Sequence, residues 1–495
     1  MKNAEDLTEN LKRCKNFGGE ILDNNAVRLG TEPVSKLLFS YSLPAITGMV
    51  VNTLYNLIDR IYIGNGVGES ALSGIALCSS FMTIIFSFAM LFGIGTANLI
   101  SIRLGEKKIH EAKNAITHCF FLLITTAIIL MTIGLIFLKP ILILFGARET
   151  SASFGYAVDY MQIILCGTVF NLLAFGFSHC TRAQGFPRVT MKSMLLGAIT
   201  NIILDPVFIF VFKMGVRGAA IATIIAQCMS MLYILRFIFF DKKVILRPNF
   251  KEFKFSPDII SKIMSFGSAQ FLLNVAAAAT TAILNINLIK YGILYFNSES
   301  GGDTALAGFN IVNSVSMFIL MPIFGINQGA QPILGYNYGA RNYKRVMQAY
   351  KYAVLAASCI TIAGFILAQV FPTYIVKMFA SKSGPDLLDF GARTLRVVLA
   401  LLPLIGFQIV SSNYFVVTGK PKMSILLSLS RQVIILIPCI VIFGHFFQLE
   451  GLIWAMPVAD TVSIILTGIF IFFELKKLRQ LISASDVIAT AEVEA

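Results

Sequence analysis

Charge is what this chain has least of. Asp, Glu, Lys and Arg supply 13% of its 495 residues, about half their usual share in soluble domains. Apolar residues supply 56%. So few charges cannot cover a soluble protein of this size, and disorder requires the opposite bias. Histidine occurs four times, and His110, His118, His179 and His445 show neither ligand spacing nor an HExxH pattern. The eight cysteines include no CxxC pair. Cys78, Cys119, Cys166, Cys228, Cys359 and Cys439 lie inside apolar runs and read as small core residues, not disulfides or metal ligands. A GxxxxGK[ST] loop is missing, which excludes a P-loop ATPase. Asp-rich Mg²⁺ motifs are missing, which excludes an integral prenyltransferase. A repeated filter sequence or charged ring, as a channel would need, is missing too. We expect no enzyme and no cofactor.

What is present is a series of long apolar runs. Twelve helices of about 22 residues would occupy a little over half of such a chain. We place spans at 34–62, 71–100, 115–138, 155–179, 190–212, 216–240, 260–290, 304–331, 350–372, 391–417, 423–445 and 451–473. Runs of this length suit helices; a barrel strand would be about ten residues long and alternating. The first 33 residues are polar and the first apolar run is too long for a signal-peptide core, so no cleaved leader is expected. With the N-terminus inside, 29 Lys and Arg fall on the inner side and nine on the outer. That asymmetry puts both termini in the cytoplasm and supports an even number of spans. It also accounts for the net charge of +14 without a nucleic-acid partner. The expected organisation is an N-terminal tail (1–33), a first lobe (34–240), a basic linker (241–259), a second lobe (260–473) and a C-terminal tail (474–495).

The two lobes repeat. Ala71-Leu72-Ser73-Gly74 recurs as Ala305-Leu306-Ala307-Gly308, Gly95 as Gly329, Gly105 as Gly339, and Gly185-Phe186-Pro187 as Gly419-Lys420-Pro421. All four pairs are 234 residues apart. An even number of spans separates the copies, so this is a parallel repeat about an axis along the membrane normal. The predicted fold is an all-α polytopic membrane protein with twelve transmembrane helices in two pseudo-symmetric six-helix bundles. Two such bundles facing across a cleft form the architecture of an alternating-access carrier.

Polar residues inside the spans mark the candidate site, because such groups are costly in lipid. Asn52, Tyr55, Asn56 and Asp59 share one helical face. Asn201 and Asp205, four apart, point one way, and Pro206 frees a carbonyl in the preceding turn. Carboxylates and freed carbonyls are hard oxygen ligands, suited to Na⁺ or a shared proton. Thr223 and Gln227 repeat the i, i+4 spacing, and Asn171 is a further candidate. The bland readings are an end-of-helix Asp59 paired with Arg60, and Thr223 and Gln227 merely bonding neighbouring helices. Asp159 reads as interfacial. Asp460 is deeper and second-rank, with Arg431 or Arg396 as partner. The second lobe offers amides instead of acids, among them Asn310, Asn313, Asn327, Gln328, Gln408 and Asn413. Its Phe and Met residues would suit flat lipophilic cations.

Together these motifs resemble the multidrug and toxic compound extrusion (MATE) family of the MOP superfamily. The resemblance rests on Gly30-Thr31-Glu32-Pro33, Leu54-Tyr55-Asn56-Leu57-Ile58-Asp59, Arg182-Ala183-Gln184-Gly185 with Pro187, and Asn201-Ile202-Ile203-Leu204-Asp205-Pro206. It covers about 30–475 and is nearest to the DinF-like, MepA-like bacterial branch. It implies a V-shaped fold of two lobes in the bacterial cytoplasmic membrane and export of cationic or amphipathic small molecules coupled to H⁺ or Na⁺. It also implies a cation site, with Na⁺ as a candidate, at Asp59, Asn201, Asp205 and Thr223, and a bend of the first helix at Pro44. We expect a monomer. The rival within the superfamily is a lipid-linked saccharide flippase. That would need a more cationic cleft than the few deep Arg and Lys here provide.

Overall fold

The computed structural model describes residues 24–145, 152–251, 253–298, 300–379 and 385–494. The tail before residue 24 and the outer-loop charges Arg148 and Lys382 lie outside the described residues. Among the described residues everything regular is helix. A short helix α1 (Asn24–Thr31) precedes α2 (Val34–Gly66), α3 (Glu69–Gly105), α4 (Ile109–Ile136), α5 (Leu138–Leu144), α6 (Ala152–Cys166), α7 (Thr168–Ala183), α8 (Pro187–Pro206) and α9 (Gly215–Phe240). The second half contains α10 (Pro257–Phe296), α11 (Gly301–Gly339), α12 (Tyr343–Val370), α13 (Pro372–Phe379), α14 (Pro385–Val398), α15 (Leu402–Val417), α16 (Pro421–Leu429) and α17 (Ile437–Glu494). Large apolar side chains such as Ile136, Phe240, Ile286 and Phe472 point outward, which a membrane protein tolerates because lipid is their solvent.

Among the described residues nine helices are long and apolar enough to cross a membrane, and two bent pairs pass the same test together. One of the nine, running from Pro421 to Ala484, is 64 residues long, about three times what a bilayer needs. It is two passes. Gln448 has non-helical backbone angles, and a Cβ on Gly451 would lie 2.0 Å from the Phe443 carbonyl oxygen. Arg431 meets Asp460, and Lys420 meets Glu474. These pairs fold the chain back on itself near residue 448, so among the described residues the candidate passes number twelve.

Spans four and ten, expected as single runs, are broken. α6 and α7 meet at 56°, and α14 and α15 at 51°. The residues preceding α7 and α15 are Gly167 and Leu401, again 234 apart. The repeat therefore extends to its irregularities. It extends also to an exposed ion pair. Arg217 Nη2 donates to Asp159 at 2.9 Å, and Arg393 Nη1 to Glu450 at 2.8 Å. Asp159 corresponds to Arg393 at offset 234, and Arg217 to Glu450 at 233, so one rim contact recurs with its charges exchanged. Asp159 is partly exposed in this pair.

The halves are held together by their first helices. The end of α2 nearest the N-terminus joins Leu29 in a core with α11, α12 and α15, whereas Ile259 and Ile263 of α10 belong to the core of the first half. The repeated glycines explain the crossings. A Cβ on Gly95 would stand 2.1 Å from the Ile263 carbonyl oxygen, and one on Gly267 1.8 Å from that of Leu91. Gly329, the repeat partner of Gly95, approaches Ser42 of α2 in the same way, and Gly325 approaches Ile46. Gly105 and Gly339 seal the far end of α3 against α11, at 2.1 Å from the Tyr336 and 2.2 Å from the Ile102 carbonyl oxygen. Only hydrogen fits at such approaches.

Polar bonds close the same end. Gln331 Nε2 donates to Asn98 Oδ1 at 2.6 Å, both buried. Arg182 donates to Gln328 and lies 3.2 Å from His179 Nδ1. Arg345 donates to the Leu29 carbonyl at 3.1 Å and the Glu32 carbonyl at 2.5 Å, and Asn337 Nδ2 to Leu29 at 2.9 Å. The Gly-Thr-Glu-Pro segment is thus a docking strap against the second half. Outside the spans, Arg28 lies 2.8 Å from Glu32 and holds its carboxyl below the usual range by that hydrogen bond.

Candidate cation site in the N-terminal half

Three helices bring the predicted polar residues together. α2 supplies Asn52, Tyr55 and Asp59, α8 supplies Asn201 and Asp205, and α9 supplies Thr223 and Gln227. At α8 the regular helix stops at Pro206 and a π-helical turn, Val207–Val211, follows. Proline removes one backbone donor, and π-turns widen the helix where sites are often found. The acids are deep: Asp205 is 0% exposed, Asn201 1%, Thr223 7% and Asp59 8%. Arg60 points outward, so Asp59 is not a snorkelling end-of-helix acid.

Asn201 organises the cluster. Its Nδ2 donates to Asp205 Oδ1 at 3.1 Å and reaches Thr223 Oγ1 at 3.5 Å. The Asp59 and Asp205 carboxyl groups lie close enough to interact with each other. Asp59 Oδ1, Asp205 Oδ2 and Asn201 Oδ1 are buried without a donor. Three unsatisfied oxygens, two of them on carboxylates, are what a bound proton or a small hard cation would satisfy. Among the described residues no group of three His, Cys, Asp or Glu could hold a metal ion. The donor set at the cluster is two carboxylates, an amide and a hydroxyl, all hard oxygen ligands.

Beside the acids lies a cavity of about 50 Å³, room for a few water molecules. Asn52, Tyr55, Asn171, Ser178, Asn201, Thr223, Gln227 and Ser230 line it with Phe175 and Met194. Asn201 and Thr223 belong to both the cavity wall and the acid cluster, so they join the two.

Asn171, Gln227 and Tyr55 thus stand where the spacing placed them. Asn56 does not. It is exposed and donates to the Asn52 carbonyl of its own helix at 2.6 Å, because 100° per residue carries it to the edge of the shared face. Pro44 is buried inside an unbroken α2. The second-rank residues lie elsewhere. Asp460 is held by Arg431 Nε at 2.6 Å, not by Arg396, whose carbonyl accepts from Gln369. Gln328 is occupied between Arg182 and the Met49 sulfur, and Asn313 is exposed. Tyr160 was not singled out in the sequence. It is buried and close enough to Asp59 and Asp205 to feel their charge; a lone tyrosine in an apolar run carries no signal of that.

The family model described as MatE matches residues 44–207 and again 260–442. Multidrug export protein MepA of Staphylococcus aureus (strain MSSA476) is 26% identical over 441 residues, 89% of this chain and 94% of the relative. MepA of Staphylococcus haemolyticus (strain JCSC1435) is 26% identical over 445 residues, 90% and 94% of the two chains. A solved structure described as the outward-facing conformation of a multidrug resistance MATE family transporter of the MOP superfamily superposes with a TM-score of 0.85. It is 25% identical and covers 92% of this chain and 98% of that one.

Proposed function

The chain belongs to the MatE family, whose model matches both of its halves, and from that premise we propose that it is a secondary active multidrug exporter. It would move lipophilic or cationic small molecules out of the cell in exchange for H⁺ or Na⁺ by alternating access. The relatives named as multidrug export proteins support the substrate class. The observation that carries the exchange is the set of three donorless oxygens on Asp59, Asp205 and Asn201.

The mechanism follows from where α2 lies. Ser42 and Ile46 pack on glycines of the second half, while Tyr55 and Asp59 serve the cation site of the first. Pro44 sits between the two second-half contacts. A proton or Na⁺ entering from outside neutralises the paired carboxylates and removes their repulsion. α2 then repacks about Pro44, where a backbone donor is missing, and the altered cleft releases the exported molecule. Each charge moving inward down 100 mV supplies about 2.3 kcal/mol. A cationic substrate inside competes for the same carboxylates, which makes exchange obligatory without further machinery. In this reading the protein works as a monomer in the bacterial cytoplasmic membrane with both tails inside, lobes 34–240 and 260–473, and no nucleic-acid partner.

The test is ethidium efflux from energised cells lacking their own exporters, comparing wild type with Asp205→Asn at matched membrane expression. Rapid efflux in wild type and none in the variant is expected. Added Na⁺ or a collapsed pH gradient then identifies the ion. Equal efflux in both would overturn the role of Asp205, and no efflux in either would overturn the multidrug reading.

A further inference from the structure

The second half holds a charged pair where the first half has its cavity. Arg431 lies 234 residues after Gly197. Beyond the hairpin turn the offset becomes 233, as Gly218 and Gly451 show, and Asp460 then corresponds to Gln227. Gly197 and Gln227 both line the cavity of the first half. There, a Cβ at Gly197 would already stand 2.2 Å from Ser230 Oγ. In the second half the same place carries an arginine.

Arg431 is costly at this depth, and its surroundings only partly account for it. Its Nε donates to Asp460 Oδ1 at 2.6 Å, with 28% of the arginine side chain accessible and 6% of the aspartate. Among the described residues no protein acceptor meets its two terminal amines. The arginine lies in a π-helical segment, Ser430–Leu436, which turns it out of the regular helical register, as π-turns at functional sites do. One turn along from Asp460, Ser463 accepts from Gln408 Nε2, whose Oε1 is buried without a donor. The site has a fixed guanidinium fork with its outer edge free, and such a fork matches a carboxylate bidentately.

We propose that Arg431, positioned by Asp460, is a subsite for the carboxylate of zwitterionic substrates whose cationic end is taken by the acidic site of the first half. The proposal rests on the export reading above and narrows its substrate class. Asp460 is a positioning residue. It fixes the fork and offsets its charge, so carboxylate-free cations are not repelled.

The experiment measures binding of ciprofloxacin, its ethyl ester and ethidium to the purified full-length protein in detergent, with efflux of the same three from cells. The ester keeps the scaffold and the basic amine but loses the carboxylate. Arg431→Gln should weaken ciprofloxacin binding about tenfold or more, the range for a charge-assisted pair, and leave the ester and ethidium within about twofold. Arg431→Lys, with charge but no fork, should fall between. Asp460→Asn should tighten ciprofloxacin binding, because the amide oxygen still accepts from the fork but no longer offsets its charge. A bridge that only ties two helices would instead make R431Q and D460N lose all three ligands in parallel, and that result overturns the proposal. Equal affinity of wild type for acid and ester overturns it as well, while leaving export intact. Failure of wild type to bind or export any of the three removes the export reading and this subsite with it.

Discussion

Arg182 of the first half is hydrogen bonded to Gln328 of the second, and both the guanidinium and the neighbouring His179 are buried. No anion balances that arginine among these contacts; its partners are an amide and an imidazole. A buried cation held only by neutral acceptors is sensitive to losing either one. The bond lies at the end of the seam between the halves that is closed by Gln331 and Asn98 and by the Gly105 and Gly339 approaches. It is a latch on that closed end. Gln328→Leu should open it, shifting the population about tenfold or more, in line with roughly 1.5–3 kcal/mol for a charged hydrogen bond. The readout is maleimide labelling of a cysteine at Ser101, wholly buried at this closure, in a background without native cysteines. Labelling should be markedly faster in the variant, and an unchanged rate would remove the latch.

The crossing glycines make a second prediction. Gly267→Ala places a methyl 1.8 Å from the Leu91 carbonyl oxygen, and Gly95→Ala one 2.1 Å from that of Ile263. Backbone atoms cannot give way as a flexible side chain can, so the helices must separate. Overpacking of this kind costs about 1–3 kcal/mol or more. Each variant should melt well below wild type in detergent. Gly468→Ala, with open space around the new carbon, is the matched control and should melt like wild type.

How far the sequence reached can be judged from particular residues. The helical class, the repeat and the acid cluster were legible because each depends on spacing. Gly95 and Gly329 do the same work at the same offset, and the four-residue step from Asn201 to Asp205 makes their bond. Asn56 misled because face membership tolerates an edge position that packing then excludes. The breaks at Gly167 and Leu401 were hidden inside uniformly apolar runs, where hydropathy has no contrast. Tyr160 and the Arg182–Gln328 bond join residues far apart in the chain, and no local pattern reports such a meeting.

The rim pairs test the meaning of the repeat. Asp159–Arg217 and Arg393–Glu450 occupy corresponding places with opposite polarity, so the place, and not the sign, is what the fold uses. Exposed pairs contribute little. Exchanging charges in the first half, as Asp159→Arg with Arg217→Asp, should leave the melting temperature unchanged within error. Either single change sets like charges together and should lower it slightly. A double exchange as damaging as the singles would show that the surrounding field dictates the sign.

Thr223 separates a cation site from a structural polar cluster. Its hydroxyl oxygen is reached by Asn201 Nδ2 at 3.5 Å, and the same amide holds Asp205 at 3.1 Å. Thr223→Val keeps the shape and removes the oxygen, leaving Asn201 with one acceptor fewer in a buried place. If the cluster only packs α8 against α9, the loss is one weak bond of about 0.5–1.5 kcal/mol in stability, and the ion dependence of efflux should not move. If the oxygen belongs to the ion site, the coupling-ion concentration needed for half-maximal efflux should rise about fivefold to tenfold, corresponding to roughly 1–1.4 kcal/mol. Thr223→Ser should restore it, since the hydroxyl returns without the methyl. We expect the second pattern, because buried oxygens of Asp59, Asp205 and Asn201 lack donors, which a bound ion would satisfy and packing alone leaves unexplained. Ethidium efflux at stepped Na⁺ and at stepped external pH, in wild type, T223V and T223S at equal expression, decides between them.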